Sequence, residues 1–442
     1  MASERAQFAT RLGVIATTVG SAVGLGNIWR FPYEAGVHGG GAFLLIYCLF
    51  IAIIGIPVIT AEFIIGRSSR ANVYGAFKKL PGSKFWRIIG PIGILASLTI
   101  LSFYSVVAGW TADYVVQSIA DFGGAETQEA LHERFGAFTG SWSAVGWTLG
   151  ILAVNYLILR RGVQKGIEKM SNLMMPLLFL LLIVFCIYSL TMPGAREGLA
   201  FLFKPDFSQL TPSVWLGAMG QAFFSLSLGL GCLITYSSYF TRQTRLLRSA
   251  ATIAVLDTMV AVLAGVIIFP AVFSFGESPA AGPKLVFEVL PAIFHNLPLG
   301  DVWSALFFIL LLLASLTSTI SMSEISIAYF TEELRMTRAK ATGLNTLICA
   351  FFGVLCSLSF GPLADLKIFG RTFFDFFDFF SSSILLPVGG ILISLFVGWV
   401  LKRKAVRAEL PRTPNAVVSV LIFLLRFIAP AGILAVFIGG LV

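Results

Sequence analysis

The stretch Thr17–Pro32, TTVGSAVGLGNIWRFP, lies in the middle of the first long apolar segment and packs Gly20, Gly24 and Gly26 into seven residues, followed by Asn27 and Arg30. Glycine weakens a helix and exposes its backbone. In hydrocarbon a freed N–H or C=O finds no water, so a broken membrane helix persists only where the break is buried in protein or lines a cavity. The stretch therefore points to a binding site at mid-membrane built largely of backbone.

That reading requires a membrane, and the composition supplies it. The 442 residues are 57% hydrophobic and only 12% charged, which excludes an ordinary soluble domain. A spanning helix needs roughly 20 apolar residues. On that basis we expect about eleven spans, near 12–36, 41–66, 88–120, 144–159, 170–191, 213–240, 248–275, 302–330, 342–360, 374–401 and 416–441. The segment after Met1–Arg11 is too long for a signal-peptide core, so no removable leader is expected. The five cysteines all fall in apolar runs without C-x-x-C spacing and read as small buried hydrophobes, neither a disulfide framework nor a zinc site.

The net charge of +9 invites a nucleic-acid reading, but the arginines and lysines sit in alternate loops. Arg5 and Arg11 precede the first span, Arg67 to Arg87 fill the second loop, Arg160 to Lys169 the fourth, Arg242, Arg245 and Arg248 the sixth, and Lys402 to Arg412 the tenth. The opposite loops are poor in them. The positive-inside rule then puts the amino terminus in the cytoplasm and, with an odd span count, the carboxy terminus outside the cell (inner) membrane. The basic excess reads as topology and contact with anionic lipid, with no nucleic-acid partner.

The sixth span repeats the signal of the first. Its Leu228-Gly229-Leu230-Gly231 echoes Val23-Gly24-Leu25-Gly26, and Gly24 to Gly229 and Gly26 to Gly231 are the same step of 205 residues. The two interruptions are five spans apart, and an odd step reverses direction across the membrane. Paired glycine-interrupted helices in the two halves are the mark of an inverted-topology repeat with its site at the interface. Taken singly, each set of glycines is equally compatible with close helix packing.

These stretches, together with GGGAF (Gly39–Phe43), GIPV with Glu62, FYSVVAGW (Phe103–Trp110), KGIEKMSNLMMPLL (Lys165–Leu178), the Ala314–Ser321 run and SSSILLPVGG (Ser381–Gly390), resemble the neurotransmitter:sodium symporters, and among them the bacterial amino-acid transporters similar to the leucine transporter. The resemblance spans nearly the whole chain in order. It implies an all-α integral membrane fold of two inverted five-helix repeats, residues 1–191 and 192–401, with unwound first and sixth helices and a peripheral eleventh helix in 402–442. It further implies a sodium-coupled symporter, not an enzyme, with no organic cofactor. The cargo would be a small-molecule amino acid carried with sodium by alternating access through the lipid bilayer.

Residue roles follow from the same resemblance. The outer half of the first helix, starting near Leu25 and Gly26, would offer its N–H groups and dipole to a substrate carboxylate. Monoamine members carry an aspartate where Gly24 stands, so glycine here favours an amino acid. Ser21, Ala22, Leu25, Gly26, Ile100, Tyr104, Phe224, Ser225, Ser227, Leu230, Ser318 and Met322 would line the substrate pocket. Leu230 stands in place of a common phenylalanine and Ser21 in place of an asparagine, which implies room for a bulky hydrophobic or aromatic L-amino acid.

One sodium ion would be held by Ala22, Asn27, Ser225 and Asp257 together with the substrate carboxylate, and a second by Gly20, Val23, Ala314, Thr317 and Ser318. Asp257 replaces a more usual asparagine, and its fixed negative charge implies independence of chloride. Glu62 would cap unwound backbone of the sixth helix. Arg30 with Asp378 would form an outer gate, Asp375 being the competing partner. Arg5 with Glu332 would form an inner latch beside Phe8, Ser238 and Tyr239. Phe8 and Glu332 themselves depart from the family's tryptophan and aspartate. An ion channel and a non-transporting amino-acid sensor are the competing functions.

Overall fold

A computed structural model describes residue 8 and residues 10–120, 128–279, 285–295 and 297–441. The architecture is helical throughout the described residues, as a membrane demands of any chain that does not close a barrel. Among the described residues, nine helices are long and apolar enough to cross a bilayer: α3 (Gly41–Ser69), α4 (Lys84–Ile119), α5 (Trp142–Leu159), α6 (Val163–Ser189), α9 (Leu246–Ser274), α10 (Gly300–Glu332), α11 (Arg338–Leu358), α12 (Phe373–Val400) and α13 (Asn415–Gly439). The other two expected spans are the interrupted ones, and their breaks leave them in shorter pieces. The first is α1 (Arg11–Ala22), then a π-helical turn Gly26–Arg30 and α2 (Phe31–Val37). The sixth is α7 (Pro212–Ser225) and α8 (Cys232–Ser237). The expected eleven segments are all present, unwound where the glycine pairs fall.

The long α10 lies along α4, and α1 packs against both α10 and α6. The second half helix α8 packs on α3, and α13 covers α7 and α12 from the side. Lipid-facing sides keep large apolar residues exposed, such as Leu173 (64%) and Leu180 (56%) on α6, as expected where hydrocarbon rather than protein is the solvent. The two breaks face each other at the centre, walled by α4, α9 and α10.

The matching glycines serve different ends. Gly229 and Gly231 have φ of +82° and +80°, which side-chain-bearing residues rarely adopt. Gly24 and Gly26 have ordinary φ and are needed for space: a Cβ on Gly24 would stand 2.5 Å from Ser318 Oγ, and one on Gly26 3.2 Å from the Phe224 ring.

Candidate functional site

The first break diverts two backbone donors. Gly24 N–H donates to Asn27 Oδ1 at 3.0 Å and Leu25 N–H to the Tyr104 hydroxyl at 2.9 Å. In an unbroken helix those groups would serve the carbonyls of Gly20 and Ser21. The Gly20 carbonyl is thereby released from its helical partner, while that of Ser21 accepts from Ser227 Oγ at 3.4 Å. The Val23 carbonyl accepts from Ser318 Oγ of α10 at 3.2 Å. In the second break Gly229 N–H donates to Glu62 Oε1 at 2.9 Å. Glu62 is wholly buried on α3, and its carboxylate also faces the N–H groups of Leu233 and Ile234 that open α8.

Between the breaks lies a cavity of about 40 Å³. Of the expected pocket residues, Ser21, Ala22, Gly26, Ile100, Tyr104, Phe224, Ser225, Ser227, Leu230, Ser318 and Met322 line it. Leu25 does not: its side chain is buried elsewhere, and it reaches the site through its N–H on Tyr104. Leu386 of α12 is a lining residue that sequence reasoning missed, because nothing in a run of apolar residues marks which of them faces inward. The Tyr104 hydroxyl stands at the N-terminus of the outer half helix, where unpaired donors and the helix dipole favour an anion.

Three of the four residues expected around the first sodium ion are brought together in one buried cluster. Asn27, Ser225 and Asp257 are all buried, with Ser225 Oγ donating to Asp257 Oδ2 at 2.6 Å and Asn27 Nδ2 to Asp257 Oδ1 at 2.8 Å and Ser225 Oγ at 2.9 Å. Tyr47 joins the cluster from α3 through its hydroxyl, 3.3 Å from Ser225 Oγ. Asn27 turns its Nδ2 toward Asp257, and its Oδ1 accepts from Gly24 N–H. The Asn27 oxygen keeps a second lone pair beyond the one that accepts from Gly24.

The second expected site gathers Gly20, Val23, Ala314, Thr317 and Ser318 where α1 crosses α10. A Cβ on Gly20 would lie 3.4 Å from the Thr317 Cβ. Thr317 Oγ1 bonds back to the Ala314 carbonyl at 2.9 Å and Ser318 reaches Val23. Among the described residues no cluster of three His, Cys, Asp or Glu side chains exists. The donors at both sites are hydroxyls, amide, carbonyls and one carboxylate, a set that suits a hard cation rather than a transition metal.

The Arg30 charge acts on Asp378, though the two side chains are not in ion-pair contact. Arg30 Nε instead meets Glu34 Oε1 at 3.3 Å, one helical turn on, and its guanidinium lies 4.4 Å over the Phe224 ring. The i, i+4 spacing of Arg30 and Glu34 on a helix already carried that signal. Asp378 accepts from Ser382 Oγ at 2.9 Å, and Asp375 accepts from Thr372, the residue that caps α12.

On the opposite face Arg5 lies outside the described residues, so the expected latch does too. Glu332 Oε2 accepts from the backbone and side-chain nitrogens of Asn72, at 3.0 and 2.9 Å. Phe8 packs edge-on against Tyr236 and Tyr239, and Ser238 bonds the Thr235 carbonyl. The Tyr239 hydroxyl donates to Glu324 Oε1 at 2.8 Å. Glu324 is wholly buried and held in a two-pronged pair by Arg338, at 2.9 and 2.6 Å. Sequence reasoning missed this pair, although a lone glutamate in the serine-rich part of the eighth span was a visible signal.

A family model described as the sodium:neurotransmitter symporter family matches residues 5–126 and 136–442. An uncharacterized sodium-dependent transporter of Bacillus subtilis, YhdH, is 42% identical over 98% of this chain and 97% of its own length. An uncharacterized sodium-dependent transporter of Haemophilus influenzae is 38% identical over 99% of this chain and 98% of its own. Among solved structures, the crystal structure of MhsT in complex with L-phenylalanine superposes with a TM-score of 0.91 at 46% identity, covering 99% of this chain and all of that one.

Proposed function

Because this chain belongs to the sodium:neurotransmitter symporter family, we propose that its sodium-dependent transport serves a neutral L-amino acid with a bulky hydrophobic or aromatic side chain. The observation that carries the reading is the pairing of Leu25 N–H with the Tyr104 hydroxyl beside the Asn27, Ser225 and Asp257 cluster. A carboxylate seated there would touch helix donors on one side and a sodium ion on the other. The apolar wall of Ile100, Phe224, Leu230, Met322 and Leu386 suits a large side chain. MhsT's bound L-phenylalanine supports the aromatic end of the range.

Two sodium ions are proposed, at the clusters around Asp257 and around Thr317. Asp257 provides fixed negative charge at the first, so chloride is not required. The basic face is cytoplasmic, with the amino terminus inside and the carboxy terminus outside the inner membrane. The repeats 1–191 and 192–401 rock about the paired breaks, with residues 402–442 peripheral. Substrate and sodium favour the inward-opening state only when bound together, through the shared carboxylate. One charge crossing 100 mV is worth about 2.3 kcal/mol, so two sodium ions with a zwitterion supply roughly twice that, enough for accumulation above about a thousandfold.

The test is uptake of labelled L-phenylalanine by purified protein in vesicles. Uptake driven by a sodium gradient, undiminished when chloride is replaced by gluconate, and competed by leucine-like and aromatic amino acids supports the reading. Binding without counterflow would make the protein a sensor, and current without stoichiometric cargo would make it a channel.

A further inference from the structure

Away from the transport route, a cavity of about 420 Å³ opens on the basic face, where the end of α3, the start of α9 and the start of α13 converge. It shares no lining residue with the substrate pocket. Arg242, Arg245, Arg248 and Arg412 line it and form no ion pair among the described residues. Glu409 is the only acid in its wall and is already engaged, its Oε2 2.6 Å from Arg67 Nε. Arg67 also donates to the carbonyls of Thr244 and Glu409, both at 2.5 Å, which fixes the two loops that carry the free arginines. The α9 helix starts here with Arg245 at its N-cap and no side-chain cap, so its first N–H groups add to the positive field.

The lining is mixed in a way that identifies the ligand. Leu247, Ala251 and Val417 share the wall with the arginines. Val417, in the cavity wall on the first turn of α13, is 41% exposed; Val420, on the second turn of α13, and Val255, on the third turn of α9, lie outside the wall and are 56% and 62% exposed. The arginines thus sit at the helix starts and the exposed valines one to three turns further along the same spanning helices.

We propose that this cavity is a binding site for an anionic glycerophospholipid of the leaflet on the basic side, its phosphate among Arg242, Arg245, Arg248 and Arg412 and its acyl chains along Val255, Val417 and Val420. A free phosphate satisfies the arginines but gains nothing from the valines. Basic pockets between membrane helices suit such head groups.

The experiment titrates the full-length protein in detergent with short-chain phosphatidylglycerol, short-chain phosphatidylcholine and inorganic phosphate, following the lipid-bound fraction by native mass spectrometry. The exposed pair Arg242→Gln/Arg245→Gln is compared with Arg335→Gln/Lys340→Gln, which removes the same charge from another loop of that face. Saturable phosphatidylglycerol binding that falls roughly 20- to 30-fold in the first variant and less than about threefold in the second is expected, at about fivefold per arginine near a membrane surface. Equal loss in both variants would reduce the site to diffuse attraction and overturn it. So would phosphatidylcholine binding as tightly, inorganic phosphate displacing the lipid at equal concentration, or no saturable binding at all.

Discussion

Asp257 is the residue on which the ion chemistry turns. It is the acid of the first proposed sodium cluster, buried and hydrogen-bonded by Ser225 and Asn27. A carboxylate so placed is stable as an ion only with a cation beside it. Replacing it by alanine should raise the sodium concentration for half-maximal uptake by more than about tenfold, the equivalent of one charged contact. An unchanged sodium dependence would remove Asp257 from the site. Gly24 is a residue of space, with Ser318 Oγ and the Tyr104 hydroxyl 2.5 and 2.8 Å from where a Cβ would be. Gly24→Ala should therefore depress uptake more than about tenfold while leaving helix content unchanged by circular dichroism, since alanine is the better helix former. These residues were legible because their types break rules: a glycine inside a span and a carboxylate in hydrocarbon. Leu386 and Met322 have the same apolar character, and only the resemblance singled out Met322. The Arg30–Glu34 contact was passed over because attention went to the acid expected from the resemblance rather than to the one a helical turn away.

The two broken helices look alike in sequence but differ in cause. In the first, the chain leaves the helix for only Val23 and Gly24, with Val23 at a ψ of 117°. In the second, α7 ends at Ser225 and α8 begins at Cys232, and the turn between needs positive φ at Ser227, Gly229 and Gly231. The glycine spacing located both breaks and could not tell these cases apart, since φ is set by the tertiary turn. Glu62 holds the wider one. Glu62→Leu would leave Gly229 N–H without a partner in a dry interior, at a cost of about 1–3 kcal/mol. A fall in the thermal unfolding midpoint of the purified protein, with Glu62→Gln close to wild type, is the expected outcome. A Leu variant as stable as wild type would show that the break needs no acceptor there.

At the scale of the molecule, span number and the paired interruptions were readable from hydropathy and glycine positions, because the bilayer leaves helices as nearly the only solution. Side-chain pairing across spans was not. Arg338 begins α11 and meets Glu324 within α10, fourteen residues earlier and across a turn of chain. Breaking a buried ion pair from one side typically costs about 3–5 kcal/mol. Arg338→Gln should accordingly destabilise the protein and, because Tyr239 shares Glu324, increase thiol labelling of cysteines introduced along the α8 side of the basic face. Unchanged stability and labelling would show the pair to be idle. The small central cavity has its own kinetic meaning. At about 40 Å³ it holds little more than a water molecule or two, so a phenylalanine-sized guest requires the lining to widen first. Observed association rates should then level off at high ligand concentration, at the frequency with which the closed form relaxes, and apparent affinity should be weakened by the rarity of the widened form.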